Sequence, residues 1–248
     1  MEFLYKNYII NYDLRGQGSY LILMHGWGVD KTTFSKVEEE LKNYYTVLTF
    51  DFIGFGKSST PIKPFSLDDY LESVEALVKH LNIVNPIVVG HSFGGRVAIK
   101  YALRNDVKKL ILVSSAGIIH FSLKTKLKII KYKFLKNIYK LFSKTKYQKL
   151  ITSSGSDDYK KLNNVMKRTM TNVIKKDLKK YIKKINVSTL ILWGYFDITT
   201  PYKDAIYFNK KIKDSRLITF FRSGHFCYLE EENKFINILI GGGEEIDW

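Results

Sequence analysis

A serine, an aspartate and a histidine far apart in the chain, Ser92, Asp197 and His225, occupy positions where their chemistry could be joined. Ser92 lies in Gly90-His91-Ser92-Phe93-Gly94, between the apolar run Ile87-Val88-Val89 and the amphipathic stretch Gly94–Leu103. The pattern G-x-S-x-G in that setting puts the serine on a sharp turn from strand to helix. The residues two places before and after it crowd together, so both must be glycine or very small. The helix that follows turns backbone N–H groups and a partial positive charge toward an oxyanion forming beside the serine. Those residue types in that order serve nucleophilic attack on a carbonyl.

A serine hydroxyl needs a base, and the base needs a carboxylate to orient it. On such an elbow the acid and then the histidine follow the nucleophile along the chain. His25, His80 and His91 precede Ser92, and His120 precedes any suitable acid at a strand end. His225 remains, in the loop Phe221-Arg222-Ser223-Gly224-His225 after the last strand segment. Asp197 stands three residues beyond the apolar run 188–194, where loops past the carboxyl ends of parallel strands gather a site. Its rivals Asp204 and Asp214 fall within or after the next helical stretch. A second apolar run, Leu21–Met24, ends in His25-Gly26-Trp27-Gly28. A loop there must lend one N–H to the oxyanion, so the amides of Trp27 and Phe93 are the expected donors. His25, Gly26, Gly90 and Gly94 are expected to shape the site around them. Gly56-Lys57-Ser58 resembles the end of a phosphate-binding loop, but Asp51 stands where that loop needs glycine.

These residues need a scaffold. Eight segments read as strands: 2–6, 8–13, 20–25, 45–50, 86–90, 108–114, 188–193 and 215–221. Between them the spacing predicts helices over Leu67–Leu81, with Ser66 as N-cap, over Gly94–Leu103, Pro201–Lys211 and Leu229–Ile240. Strands alternating with helices imply a mostly parallel eight-stranded sheet with helices on both faces. The rhythm breaks between residues 118 and 184. There Leu123, Leu127, Ile130, Phe134, Ile138, Leu141 and Phe142 recur at helical spacing, and a second helical stretch runs over 159–185. The expected organisation is a core of 1–117 and 185–248 with 118–184 as an inserted helical cap. The end, GGGEEIDW, reads as a flexible tail.

Composition narrows the classes. At 45% hydrophobic the 248-residue chain can fill a core. A single cysteine, Cys227, excludes an internal disulfide framework and zinc sites built from several thiolates, and no cofactor or metal is expected. No run reaches signal-peptide or membrane-spanning length, so a soluble, cytoplasmic protein is expected. The net charge of +16 is uneven. The segment 118–184 holds 20 Lys and Arg against Asp157, Asp158 and Asp177, a net of +17, and the rest is nearly neutral. That surface could meet an acidic carrier protein, rest on an anionic membrane, or simply reflect a lysine-rich composition. Nucleic acid is not expected as a partner, because only six of the 40 basic residues are arginine.

Taken together, HGWG, DFIGFGKSS, GHSFGG, GYFD and the late Gly-His resemble the α/β-hydrolase superfamily in order and spacing across essentially the whole chain. The resemblance implies Ser92, Asp197 and His225 as the triad, Trp27 and Phe93 at the oxyanion hole, and Asp51, Gly54 and Gly56 as a structural turn. It implies a serine hydrolase similar to small carboxylesterases, acting on a small-molecule ester of small or medium size. Serine at the elbow sets the chain apart from the haloalkane dehalogenase and epoxide hydrolase branches, which use aspartate there. A C–C bond hydrolase, a lipase of the same fold, or a ligand-binding protein with little turnover are the alternatives, since fold does not fix function.

Overall fold

Apolar runs at 20–24, 46–50, 87–91, 109–113 and 189–194 form the middle of a single sheet because each can bury both of its faces. The strands are β1 (Glu2–Tyr5), β2 (Tyr8–Arg15), β3 (Tyr20–Met24), β4 (Thr46–Phe50), β5 (Ile87–His91), β6 (Lys109–Val113), β7 (Thr189–Gly194) and β8 (Ser215–Phe220). They lie in the order β1-β2-β4-β3-β5-β6-β7-β8. The first two pairings, β1 with β2 and β2 with β4, are antiparallel; every pairing from β4 to β8 is parallel. The computed structural model describes residues 1–120 and 162–241 throughout, and between them only 131–132, 134–135, 137–139, 143, 145–146 and 159.

Alternation along each strand divides the interior into two cores. Ile22, Met24, Val88, Ile191 and Trp193 point into one, while Leu21, Leu23, Val89, Leu190 and Leu192 point into the other. The second core is closed by α1 (Ser35–Leu41), through Val37 and Leu41. The first is closed by α2 (Leu67–His80) and α3 (Phe93–Ala102). Into it also project Met166 and Val173 of α4 (Asn164–Ile174) and Ala205 and Phe208 of α5 (Tyr202–Lys211). The last helix, α6 (Glu232–Leu239), returns to the second core through Phe235, Ile238 and Leu239. The eight strands, their mostly parallel arrangement and the helices on both faces match expectation. Among the described residues no helix is long and apolar enough to cross a membrane.

Local signals account for most boundaries. The Ser66 hydroxyl accepts from the Asp69 N–H, and the Asp69 carboxylate accepts from the Ser66 N–H, a reciprocal cap that starts α2. Ser66→Ala is expected to cost about 1 kcal/mol in denaturant unfolding without changing its slope. Two elements depart from expectation. Helix α1 went unread because its seven residues carry only Val37 and Leu41 as an apolar pair, too short for a period to show. The helix expected over Leu229–Ile240 is broken at Glu231 (φ −126°), with a separate turn over Cys227–Glu230 before it. The break turns two carboxylates toward the loop before it. Glu230 accepts from the N–H groups of Gly224 (2.8 Å) and Phe226 (3.2 Å). Glu231 accepts from the Arg222 N–H (3.1 Å) and the Ser223 hydroxyl (2.6 Å).

Of the stretch 159–185, the described part holds α4 and a single turn over Lys179–Ile182. Most of the lysine-rich run 123–150 lies outside the described residues. Helix α4 and the turn just after it are tied to the rest of the fold at named points. The buried Arg96 of α3 donates to the Lys176 carbonyl (2.6 Å), and the Thr169 hydroxyl accepts from the Phe65 N–H (3.0 Å).

Candidate active site

Ser92 stands between β5 and α3 with φ 51° and ψ −110°, a left-handed conformation that a non-glycine residue holds only under constraint. The constraint is on both sides. Its N–H donates to the Val113 carbonyl (3.1 Å), and its own carbonyl accepts from Gly95 (3.1 Å) and Ala116 (3.0 Å). The two flanking glycines are required by close approach. A Cβ on Gly90 would lie 2.7 Å from the Gly94 carbonyl oxygen and from Ala98 Cβ, and one on Gly94 would overlap the Met24 carbonyl. Helix α3 is thereby pressed against the end of β3, which brings residues 25–28 beside the serine. Gly90→Ala is expected to destabilise the fold by about 1–3 kcal/mol, read as a lower denaturation midpoint.

His225 Nε2 is 3.0 Å from Ser92 Oγ, and His225 Nδ1 is 2.8 Å from Asp197 Oδ2. The three residues named from the sequence therefore meet at the carboxyl ends of β5, β7 and β8, in one hydrogen-bonded line. The Asp197 side chain is wholly buried and that of His225 is mostly so. Burial alone would raise the Asp197 carboxyl. The hydrogen bonds from His225 and Thr200 outweigh it and hold the group below the usual carboxylate range. Its four acceptor positions are all in use. Oδ1 accepts the N–H groups of Thr199 and Thr200 at 2.8 Å each, and Oδ2 accepts His225 and the Thr200 hydroxyl at 2.7 Å. Asp197 is thus a turn-forming residue and a partner of His225 at once.

Thr200 was not singled out from the sequence. The signal available was Asp197-Ile198-Thr199-Thr200-Pro201, where an aspartate caps its own turn before proline. The indole N–H of Trp193 donates to the Thr200 carbonyl (2.9 Å) and fixes that turn to β7. Thr200→Val keeps the shape and removes the hydroxyl. Turnover is expected to fall roughly tenfold, about the worth of a hydrogen bond to a charged group, with Thr200→Ser close to parent. Asp204, the rival acid, does not approach His225; its Oδ1 lies 2.6 Å from His120 Nε2.

The Phe93 amide is the first N–H of α3, and the Trp27 amide lies in the loop pressed against it. Among the described residues neither has an acceptor in the protein. Their side chains form an aromatic wall with Phe52, Phe55 and Tyr70; the Trp27 and Phe93 rings are 5.4 Å apart and edge-on. His25 braces this loop. Its Nδ1–H donates to the Gly26 carbonyl (2.7 Å), and its Nε2 accepts from the Phe52 N–H (3.0 Å). The expected structural turn is also present: the Asp51 carboxylate accepts from Lys31 and Lys57 N–H groups (2.8 Å each), and Gly54 and Gly56 have positive φ.

Burial holds two of the site's histidines neutral. It pushes His25 down to about 4 and His91 to about 3, from an ordinary value of 6.5. A histidine depressed in the folded state stabilises the fold above its unfolded value and ceases to as pH falls toward the folded one. The melting temperature is therefore expected to drop between pH 6.5 and 4, by the equivalent of about 2 kcal/mol per ring at pH 5. A flat profile from pH 7 to 5 would contradict the two neutral buried rings, since most carboxylates titrate lower.

Comparison with known proteins agrees with this fold. The sequence model of the α/β-hydrolase fold matches residues 20–169. The AB hydrolase superfamily protein YisY of Bacillus subtilis is 30% identical over 246 residues, which cover 91% of each chain. An esterase from Exiguobacterium antarcticum has a similar structure, with TM-score 0.73 and 24% identity over 94% of this chain and 95% of that one. A meta-cleavage product hydrolase from Pseudomonas fluorescens gives TM-score 0.74 and 22% identity over 98% of this chain and 96% of its own. At those identities the two structures speak for the fold alone. A mostly parallel sheet read in this order, a serine at the strand-to-helix elbow, and sequence kinship over nine-tenths of a relative lead to one statement: this chain belongs to the α/β-hydrolase fold family.

Proposed function

We propose that this chain is a serine hydrolase that cleaves a small or medium carboxylic ester through an acyl-enzyme. The observation that carries the reading is the line Ser92–His225–Asp197, with 3.0 and 2.8 Å between the partners. A carbonyl donates nothing and a carboxylate cannot donate, so Asp197 makes His225 carry its proton on Nδ1 and leaves Nε2 free to accept from Ser92. As Oγ attacks the ester carbonyl, His225 takes the hydroxyl proton. The amides of Trp27 and Phe93 donate hydrogen bonds to the carbonyl oxygen as negative charge develops on it. His225 then returns the proton to the leaving alcohol. A water activated by the same ring hydrolyses the acyl-serine and frees the acid. An apolar acyl group would meet Trp27, which is partly exposed and rests on the buried rings of Phe55 and Phe93.

A fluorophosphonate probe and a panel of p-nitrophenyl esters of increasing acyl length test this together. Expected is stoichiometric labelling of the parent, none of Ser92→Ala, and turnover that peaks within the short and medium acyl chains. A protein that neither labels nor hydrolyses any ester would instead be a ligand-binding member of the fold.

A further inference from the structure

We propose that His91, the residue before Ser92, is a positioning residue that locks the backbone of the base loop to the nucleophile. The inference rests on the triad reading above. His91 Nε2 lies 2.9 Å from the carbonyl oxygen of His225, 134 residues away. A carbonyl only accepts, so Nε2 must carry the hydrogen of this neutral ring. Nδ1 then bears a lone pair, and among the described residues it has no partner although it is buried. The ring is 1% exposed and packs against His225, Phe226 and Tyr228, with centroids 4.8, 5.1 and 4.9 Å away. A buried ring with one nitrogen unpaired is costly, and an aliphatic side chain would fill the same space without that cost. What the imidazole adds is the one bond from Nε2.

That bond completes the restraint of the loop. Glu230 and Glu231 hold N–H groups of Arg222, Gly224 and Phe226, from the side of α6. The His225 carbonyl is held from the opposite side, by a residue adjacent to Ser92. Nucleophile and base are thus referred to the same two-residue piece of backbone. The imidazole of His225 can swing about its own side-chain bonds, but its Cα cannot drift from Ser92. The third wall of the pocket for His91 is Gly26: a Cβ there would lie 2.8 Å from Nδ1. Glycine at the start of the oxyanion loop therefore makes room for the imidazole that holds the base loop, which couples all three loops through one ring. A displacement of about 1 Å between reacting groups can cost on the order of 10²-fold in rate, which sets the scale of the effect.

The test compares His91→Leu, which removes the donor, with His91→Gln, whose side-chain amide can place a donor near the position of Nε2. Two measurements are made on each: kcat and KM with a p-nitrophenyl ester, and the downfield Nδ1–H proton resonance of His225, assigned by its loss in His225→Gln. In His91→Leu, kcat is expected to fall roughly 10- to 100-fold with KM within about threefold of parent, and the resonance to broaden by solvent exchange. In His91→Gln most of the kcat loss and the sharp resonance return. Parent kcat with a sharp resonance in His91→Leu overturns the proposal. So does an equal loss in both variants, which would mark a packing role. Should His91→Leu fail to fold, His91→Asn, whose amide is too short to reach the carbonyl, takes its place against His91→Gln. If the parent turns over no ester and takes no fluorophosphonate, the hydrolase reading fails, and the resonance comparison still decides the role of His91.

Discussion

Ser92→Ala is expected to lower turnover of a p-nitrophenyl ester by about six orders of magnitude while the melting temperature stays near that of the parent. The size follows from the order of events. Without Oγ there is no acyl-enzyme, and His225 has no proton to take. Only the two amides and the aromatic wall remain to favour hydrolysis by water, so a residual rate above the uncatalysed one is expected. The small effect on stability follows from what the side chain touches. Among the described residues Oγ has one partner, His225 Nε2, while the backbone of residue 92 keeps its bonds to Val113, Gly95 and Ala116. Burst kinetics in the parent, with one equivalent of nitrophenol released before the steady state, would report the acyl-enzyme directly. Activity in Ser92→Ala within a hundredfold of parent would remove Ser92 from the chemistry.

Asp197→Asn is expected to cost on the order of 10⁴ in kcat, and the cause is the proton's place rather than lost charge alone. Two backbone N–H groups, from Thr199 and Thr200, hold Oδ1 and select the oxygen of an asparagine for that position. The amide nitrogen must then take the place of Oδ2 and point a hydrogen at His225 Nδ1. His225 answers by moving its proton to Nε2, where it faces Ser92 and cannot accept. Activity of this variant should rise with pH toward strongly basic conditions, where hydroxide can generate the alkoxide without the base. A loss of less than tenfold, or an unaltered pH profile, would mean that Asp197 only shapes its turn. Thr200→Val probes the same carboxylate more gently, because it removes one of four bonds and leaves the tautomer of His225 in place.

The residues legible before folding share a property: their signal is local or follows from chain order. Ile87–Gly90 reads as a buried strand, the elbow is five consecutive residues, and Ser66 caps the helix that begins beside it. Asp197 and His225 were found because order along the chain excluded the other histidines and placed both after strands. Helix α1 was missed for want of length, and the break at Glu231 for want of any local breaker: there is no glycine or proline there. What accompanies it lies in another segment, the Arg222–Gly224 backbone whose N–H groups donate to the two glutamates. Thr200 was within reach of a turn signal, but its value depends on which oxygen of Asp197 faces His225.

Sequence alone determined the sheet-and-helix class, the elbow, and the three side chains proposed as the triad, because hydrophobic period, backbone crowding and chain order are all legible along the sequence. Only the tertiary structure decided the distances that bring those side chains together and the contacts made by His91, Thr200, Glu230 and Glu231. The contacts of His91, Glu230 and Glu231 are hydrogen bonds of about 3 Å to groups on another segment, and no rule of spacing along the chain can specify so short a contact between segments that only packing brings together.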